Sequence, residues 1–247
     1  MEPRIAARRT DVRARRRLRI WILLGVVGLL VALTWGFTQS PFLDVDEVVV
    51  IGAQRTGSQN VLDAAGIEVG TPLLGLDLDG PRRSVAALPW VHRVRSNRTW
   101  GGKITLDVVE REAVAQAYTG DFWVLVDVKG RVLQEGNRQQ KLPVVQVASV
   151  PEPGGWLASS AAPLLEVSEA LMPLAGRYSL GAISWQNAQV VVGLEGDRQA
   201  LWGSADSSQA KAVALATFLE KVDSDCYEQI DLGVPDFPVL TSSGLCP

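Results

Sequence analysis

Histidine is all but missing from this sequence: His92 is the only one in 247 residues. Metal sites built on two or more histidines are therefore excluded, and any serine–histidine triad would depend on that single side chain. His92 stands between Val91 and Arg93 at the start of a strand-like run, where a solvated imidazole needs no catalytic explanation. A glycine-rich phosphate loop ending in G-K-S or G-K-T is also missing. The carboxylate pairs Asp44/Asp46, Asp77/Asp79 and Asp223/Asp225 lack the glycine and distant glutamate of a calcium loop, and read as turn and cap residues. Ser208 to Lys211 spells S-x-x-K, the nucleophile signature of penicillin-binding enzymes. The companion K-T-G is absent, however, and Ser224-Asp225-Cys226 is not S-D-N. Helix capping accounts for Ser208 more simply. The expectation is a chain that is not an enzyme and has no catalytic residues, no metal site, no cofactor and no small-molecule substrate. A membrane-tethered cell-wall hydrolase or transpeptidase using Ser208 and Lys211 is kept as the alternative.

Long apolar runs are scarce as well, but one is present. Ile20 to Phe37 carries no charge, and the uncharged window continues to Leu43. As a helix, the first eighteen residues rise roughly 27 Å, enough with their extension to cross a hydrocarbon core. Lipid offers backbone amides no partner, so a lone span must be helical. Before it, eight arginines between Arg4 and Arg19 face only Glu2 and Asp11; after it, sixteen basic residues face twenty-five acidic ones. Basic flanks stay in the cytoplasm, which predicts an inside tail and an extracytoplasmic body on a single-pass type II anchor. A cleaved signal peptide is the competing reading. It is disfavoured by bulky Trp35 and Phe37 at the end of the run, with no A-x-A sequence following. The arginine tail either only fixes topology or also rests on anionic lipid. Nucleic-acid binding is not expected, because no aromatic interleaving or nucleic-acid motif accompanies the arginines.

The two cysteines, Cys226 and Cys246, both fall in the body. Outside the cytoplasm such a pair can persist as a disulfide, contributing roughly 3 kcal/mol by closing its loop, and a bridge is the expectation over two free thiols.

Past the membrane, Val45 and Val48 to Ile51 form a β-branched strand signal ending at Gly52. Thr56 to Ala65 reads as a short helix with Thr56 or Ser58 as its cap and Gly66 as its stop. A second helix is capped by Asp79, carries Pro81 in its first turn and ends at Pro89. Two alternating runs, Arg93 to Arg98 and Ile104 to Val109, flank the turn residues Trp100, Gly101 and Gly102 and predict a hairpin. Asn97-Arg98-Thr99 matches a glycosylation sequon only as a short pattern. Strand, helix, helix, strand, strand makes a small sheet with its helices on one face.

That order, directly after one inward-anchored span, resembles the POTRA domain of the bacterial division protein FtsQ, also called DivIB. The strings FLDVDEVVVIGAQRT (Phe42 to Thr56), LPWVHRVRSNRTW (Leu88 to Trp100) and ITLDVVEREAVA (Ile104 to Ala115) carry the likeness, and Glu110-Arg111-Glu112 is similar to the family's junction with its β domain. In the second half, strands are predicted at Phe122 to Val126, Val144 to Val147, Gly181 to Trp185, Gln189 to Val192 and Gln199 to Trp202. Helices are predicted at Ala162 to Ala175, interrupted by Pro173, and at Ser207 to Val222, capped by Ser207 or Ser208. LEGDRQALWGS and QIDLGVPDFPVL resemble the end of that β domain. The expected organisation is an α+β chain: a basic tail over 1–19, a transmembrane helix over 20–41, a POTRA-like βααββ domain over 42–111, a mixed β-sheet domain over 112–241 and a tail over 242–247.

Pro235 and Pro238 cannot donate ladder hydrogen bonds, which places their segment at a sheet edge. An edge can take a partner's extended segment by strand addition. The resemblance implies a scaffold of the division septum in the cell membrane, whose last strands receive FtsB- and FtsL-like proteins and whose POTRA domain aids localisation. Carried over by position, the partner-binding residues are Ile230, Asp231, Leu232, Pro238, Val239, Leu240 and Thr241.

Overall fold

The valine-rich run after Asp46 forms β1 (Glu47–Ile51), and the hairpin expected around Gly101 and Gly102 is β2 (Val91–Thr99) followed by β3 (Lys103–Glu110). The computed structural model describes residues 21–33, 44–73, 75–99, 101–222 and 227–242. β3 is central, with β1 parallel to it on one side and β2 antiparallel on the other. Alternation decides the faces: Ile104, Leu106 and Val108 of β3 are buried against α2 (Ser58–Ala65) and α3 (Asp79–Ala87), which bring in Val61 and Val85. Gly52 follows β1 at φ 85°, where a side chain would meet the Val108 carbonyl, so only glycine fits the turn.

The expected caps are replaced by other contacts. α2 starts at Gly57 without a side-chain cap, and the Thr56 amide just before it donates to Glu110. Asp79 pairs with Arg82, and the turn before α3 is closed by Asp77, whose carboxylate accepts from the Asp79 amide. Gly66 does end α2, in the left-handed conformation.

The second sheet has nine strands, ordered β12-β11-β10-β9-β8-β7-β4-β5-β6. They are β4 (Ala113–Tyr118), β5 (Trp123–Asp127), β6 (Val132–Gly136), β7 (Val144–Val145), β8 (Ala182–Gln186), β9 (Gln189–Gly193), β10 (Gln199–Gly203), β11 (Tyr227–Asp231) and β12 (Val239–Ser242). Two parallel crossovers build its middle. α4 (Ala162–Ala175) joins β7 to β8 and α5 (Ser208–Lys221) joins β10 to β11. Leu164, Leu165 and Leu171 of α4 and Leu215 of α5 bury one face of the sheet with Ile183, Val192, Trp202 and Ile230. The chain is therefore mixed α+β, with a βααββ unit followed by a large mixed sheet.

Before β1 the structure describes one further helix, α1, residues 21–33, apolar and exposed around its whole circumference. Thirteen residues rise about 20 Å, and among the described residues no helix is long and apolar enough to cross a membrane. The remainder of the expected span, the arginine tail and both cysteines lie outside the described residues.

Candidate partner-binding site

β12 is the last strand of the large sheet, and its register with β11 sets Asp231 against Val239, Ile230 against Leu240 and Gln229 against Thr241. The two strands are joined through Gly233, whose amide donates to Asp231 Oδ1 at 2.8 Å, and through a turn in which the Phe237 amide donates to the Val234 carbonyl. Pro235 and Pro238 stand in this connection. Among the described residues no strand lies beyond β12, so one row of its backbone groups faces outward.

The predicted partner-binding residues divide by position. Ile230 and Leu232 are fully buried: Ile230 packs into the core under α5, and the Leu232 amide is bonded to the Leu201 carbonyl. β11 has β10 on one side and β12 on the other, because the α5 crossover returns the chain to the interior of the sheet before its last turn. Asp231 is exposed but its carboxylate is taken by Gly233. Val239, Leu240, Thr241 and Pro238 are exposed on the outermost strand and its approach. Two residues outside that set enlarge the surface. Val234 is 57% and Phe237 77% exposed, beside Val239 at 63%. Apolar residues in a proline-rich turn of a sheet's last hairpin were the available signal for them.

Beneath this hairpin lies the S-x-x-K pair, in a role other than the expected one. Ser207 is the residue before α5, in the left-handed conformation and without a side-chain cap bond. Ser208 Oγ instead donates to the Ala205 carbonyl and accepts from Trp202 Nε1. Lys211 is 2% exposed and its Nζ donates to the carbonyls of Trp202 at 2.8 Å and Ser204 at 2.9 Å. Burial pushes its ammonium below the usual 10.5, against the opposing pull of Asp206 and Asp231. Serine and lysine thus tie the end of β10 to the start of α5. His92 lies exposed on β2, and among the described residues no group of three or more His, Cys, Asp or Glu side chains is placed to hold a metal ion.

The junction tripeptide is engaged on both sides. Glu110 accepts from the amides of Arg55 at 2.9 Å and Thr56 at 2.6 Å. Burial raises its pKa, but those amides more than offset the effect and hold the carboxyl below 4.5. Arg111 donates to the Val91 carbonyl and pairs at 2.6 Å with buried Asp127. Arg131, from the turn before β6, donates to the Ala87 carbonyl at the end of α3. Trp90 packs on Leu125 and Leu133 of β5 and β6.

A single POTRA unit running through this junction into a mixed sheet with an open last strand defines a POTRA-bearing protein with one such unit. The FtsQ-type POTRA domain matches residues 43–111. Curated proteins named cell division protein FtsQ are similar over most of the chain. That of Corynebacterium glutamicum is 28% identical over 221 residues, covering 82% of this chain and 90% of its own. That of Mycobacterium tuberculosis is 28% identical over 242 residues, covering 96% and 73%. That of Streptomyces bingchenggensis is 27% identical over 243 residues, covering 94% and 91%. Residues 43–111 thus form an FtsQ-type POTRA domain, and the chain as a whole is similar to proteins named cell division protein FtsQ.

Proposed function

We propose that this chain serves bacterial cell division as a non-enzymatic, membrane-anchored scaffold of the septum, receiving an extended segment of an FtsB- or FtsL-like partner along β12. The division role follows the relatives' shared name. The observation that carries the binding mode is the outer row of β12, which no strand among the described residues pairs, bordered by exposed Val234, Phe237 and Val239. Main-chain hydrogen bonds along such an edge supply affinity and the apolar border supplies selectivity. In this reading the uncharged run from Ile20 anchors the chain, with the arginines inside and the body outside. The proposed disulfide between Cys226 and Cys246 would hold the end of the chain close to β11.

The hydrolase alternative gains no support from the geometry. Ser208 and Lys211 are buried and each is bonded to neighbouring groups. The test is capture of a purified FtsB-like partner by full-length protein in detergent. Val239→Glu or Leu240→Glu should weaken capture by about tenfold or more while the thermal melt stays in place. Undiminished capture by both folded variants would overturn the strand-addition reading.

A further inference from the structure

The large sheet has a second end, at β6. Its first residue is covered by the chain itself: the Val132 amide donates to the Gly155 carbonyl, and the Val132 carbonyl accepts from the Gly154 amide. Pro151 and Pro153 cannot continue that ladder as donors, and Pro153 instead lines the cleft beside β6. Antiparallel alternation points the backbone of Glu135 outward in the same sense as Val132. Among the described residues no strand covers it.

The uncovered part of β6 is exposed and lines a cleft. This cleft, of about 630 Å³, has α2 of the POTRA unit as its opposite wall, and its floor holds Trp90 and Leu133. The Arg55 guanidinium lies 5.1 Å from the centre of the Trp90 ring. The rim carries Asp63 from α2 and Glu135 from β6, both exposed. Apolar floor, unpaired strand edge and carboxylates on facing walls occur together at a domain junction, a preferred position for binding sites.

We infer that this cleft is a second peptide-binding site, separate from β12, which takes an extended partner segment of alternating apolar and basic residues as an added strand on β6. The apolar residues turn toward Trp90 and Leu133 and the basic ones toward Asp63 and Glu135. Because α2 and β6 belong to different units, an occupied cleft would clamp them together.

The probe is a fluorescein-labelled peptide of alternating valine and lysine, titrated by anisotropy onto full-length protein in detergent. Asp63→Lys with Glu135→Lys should weaken its binding by about tenfold or more, with the fold checked by circular dichroism. N-methylation of the peptide's edge-facing amides, or valine–glutamate alternation, should weaken it as much. Val239→Lys, which repels the same peptide from β12, should leave it unchanged. No binding, equal binding of the N-methylated peptide, insensitivity to the paired charge reversal, or loss in Val239→Lys would each overturn the assignment.

Discussion

Asp127 shows how much one side chain can settle. Its Oδ1 accepts from the amides of Lys129 and Arg131, closing the turn between β5 and β6, while Oδ2 holds Arg111. The turn role was legible in Asp127 to Gly130, because aspartate ahead of glycine is local chemistry. The ion pair was not, because it forms only when β4 and β5 have already paired. Asp127→Ala leaves a nearly buried arginine without its counter-ion and should cost about 3–5 kcal/mol in chemical denaturation. A second site carries conformational strain. The β8–β9 turn is Asn187-Ala188 with φ 49° and 62°, a primed turn in which alanine is disfavoured. Ala188→Gly should therefore stabilise the fold by roughly 0.5–1 kcal/mol, read as a higher melting temperature. Glu110 gives a pH signature. Its folded pKa lies below 4.5, so its contribution is complete above the unfolded value and disappears as pH falls through the folded one. Glu110→Gln should flatten the acid limb of the stability profile and leave the neutral region parallel to the wild type.

Among elements, the periodic ones were readable and the crowded ones were not. α5 announced itself by apolar spacing, and α4 forms across the expected interruption because Pro173 falls in its last turn, at an exposed position. β4 and β6 gave no comparable signal. β4 reads AVAQAY, alanine-rich with a buried Gln116 whose amide is satisfied by the carbonyls of Gln139 and Leu142. β6 reads VLQEG, too short and polar to announce a strand. For the candidate site, the two prolines fall in the turn that leads into β12, but nothing local could tell that β11 would be enclosed while β12 is outermost among the described strands. That distinction depends on where the α5 crossover returns the chain. Phe237 tests the functional weight of this hairpin. It is largely exposed, so Phe237→Ser should leave the melt within about 0.5 kcal/mol of the wild type and yet weaken capture of the partner.

On the scale of the whole molecule, the two units meet through Trp90, Arg111 on Asp127 and Arg131 on Ala87. Backbone acceptors and donors hold one unit's ends to the other's side chains, so their relative orientation is fixed by directional bonds as well as by packing. Removing the aromatic plug should uncouple them. Trp90→Ala is expected to split one cooperative thermal transition into two and to enlarge the radius of gyration in small-angle scattering, whereas a single unchanged transition would mean the polar ties suffice. Four residues of β12, approached through two prolines, also set a limit on growth. Such a ledge has room for one added strand and offers the next nothing repetitive to copy, so copies of this chain at high local concentration need not seed fibres.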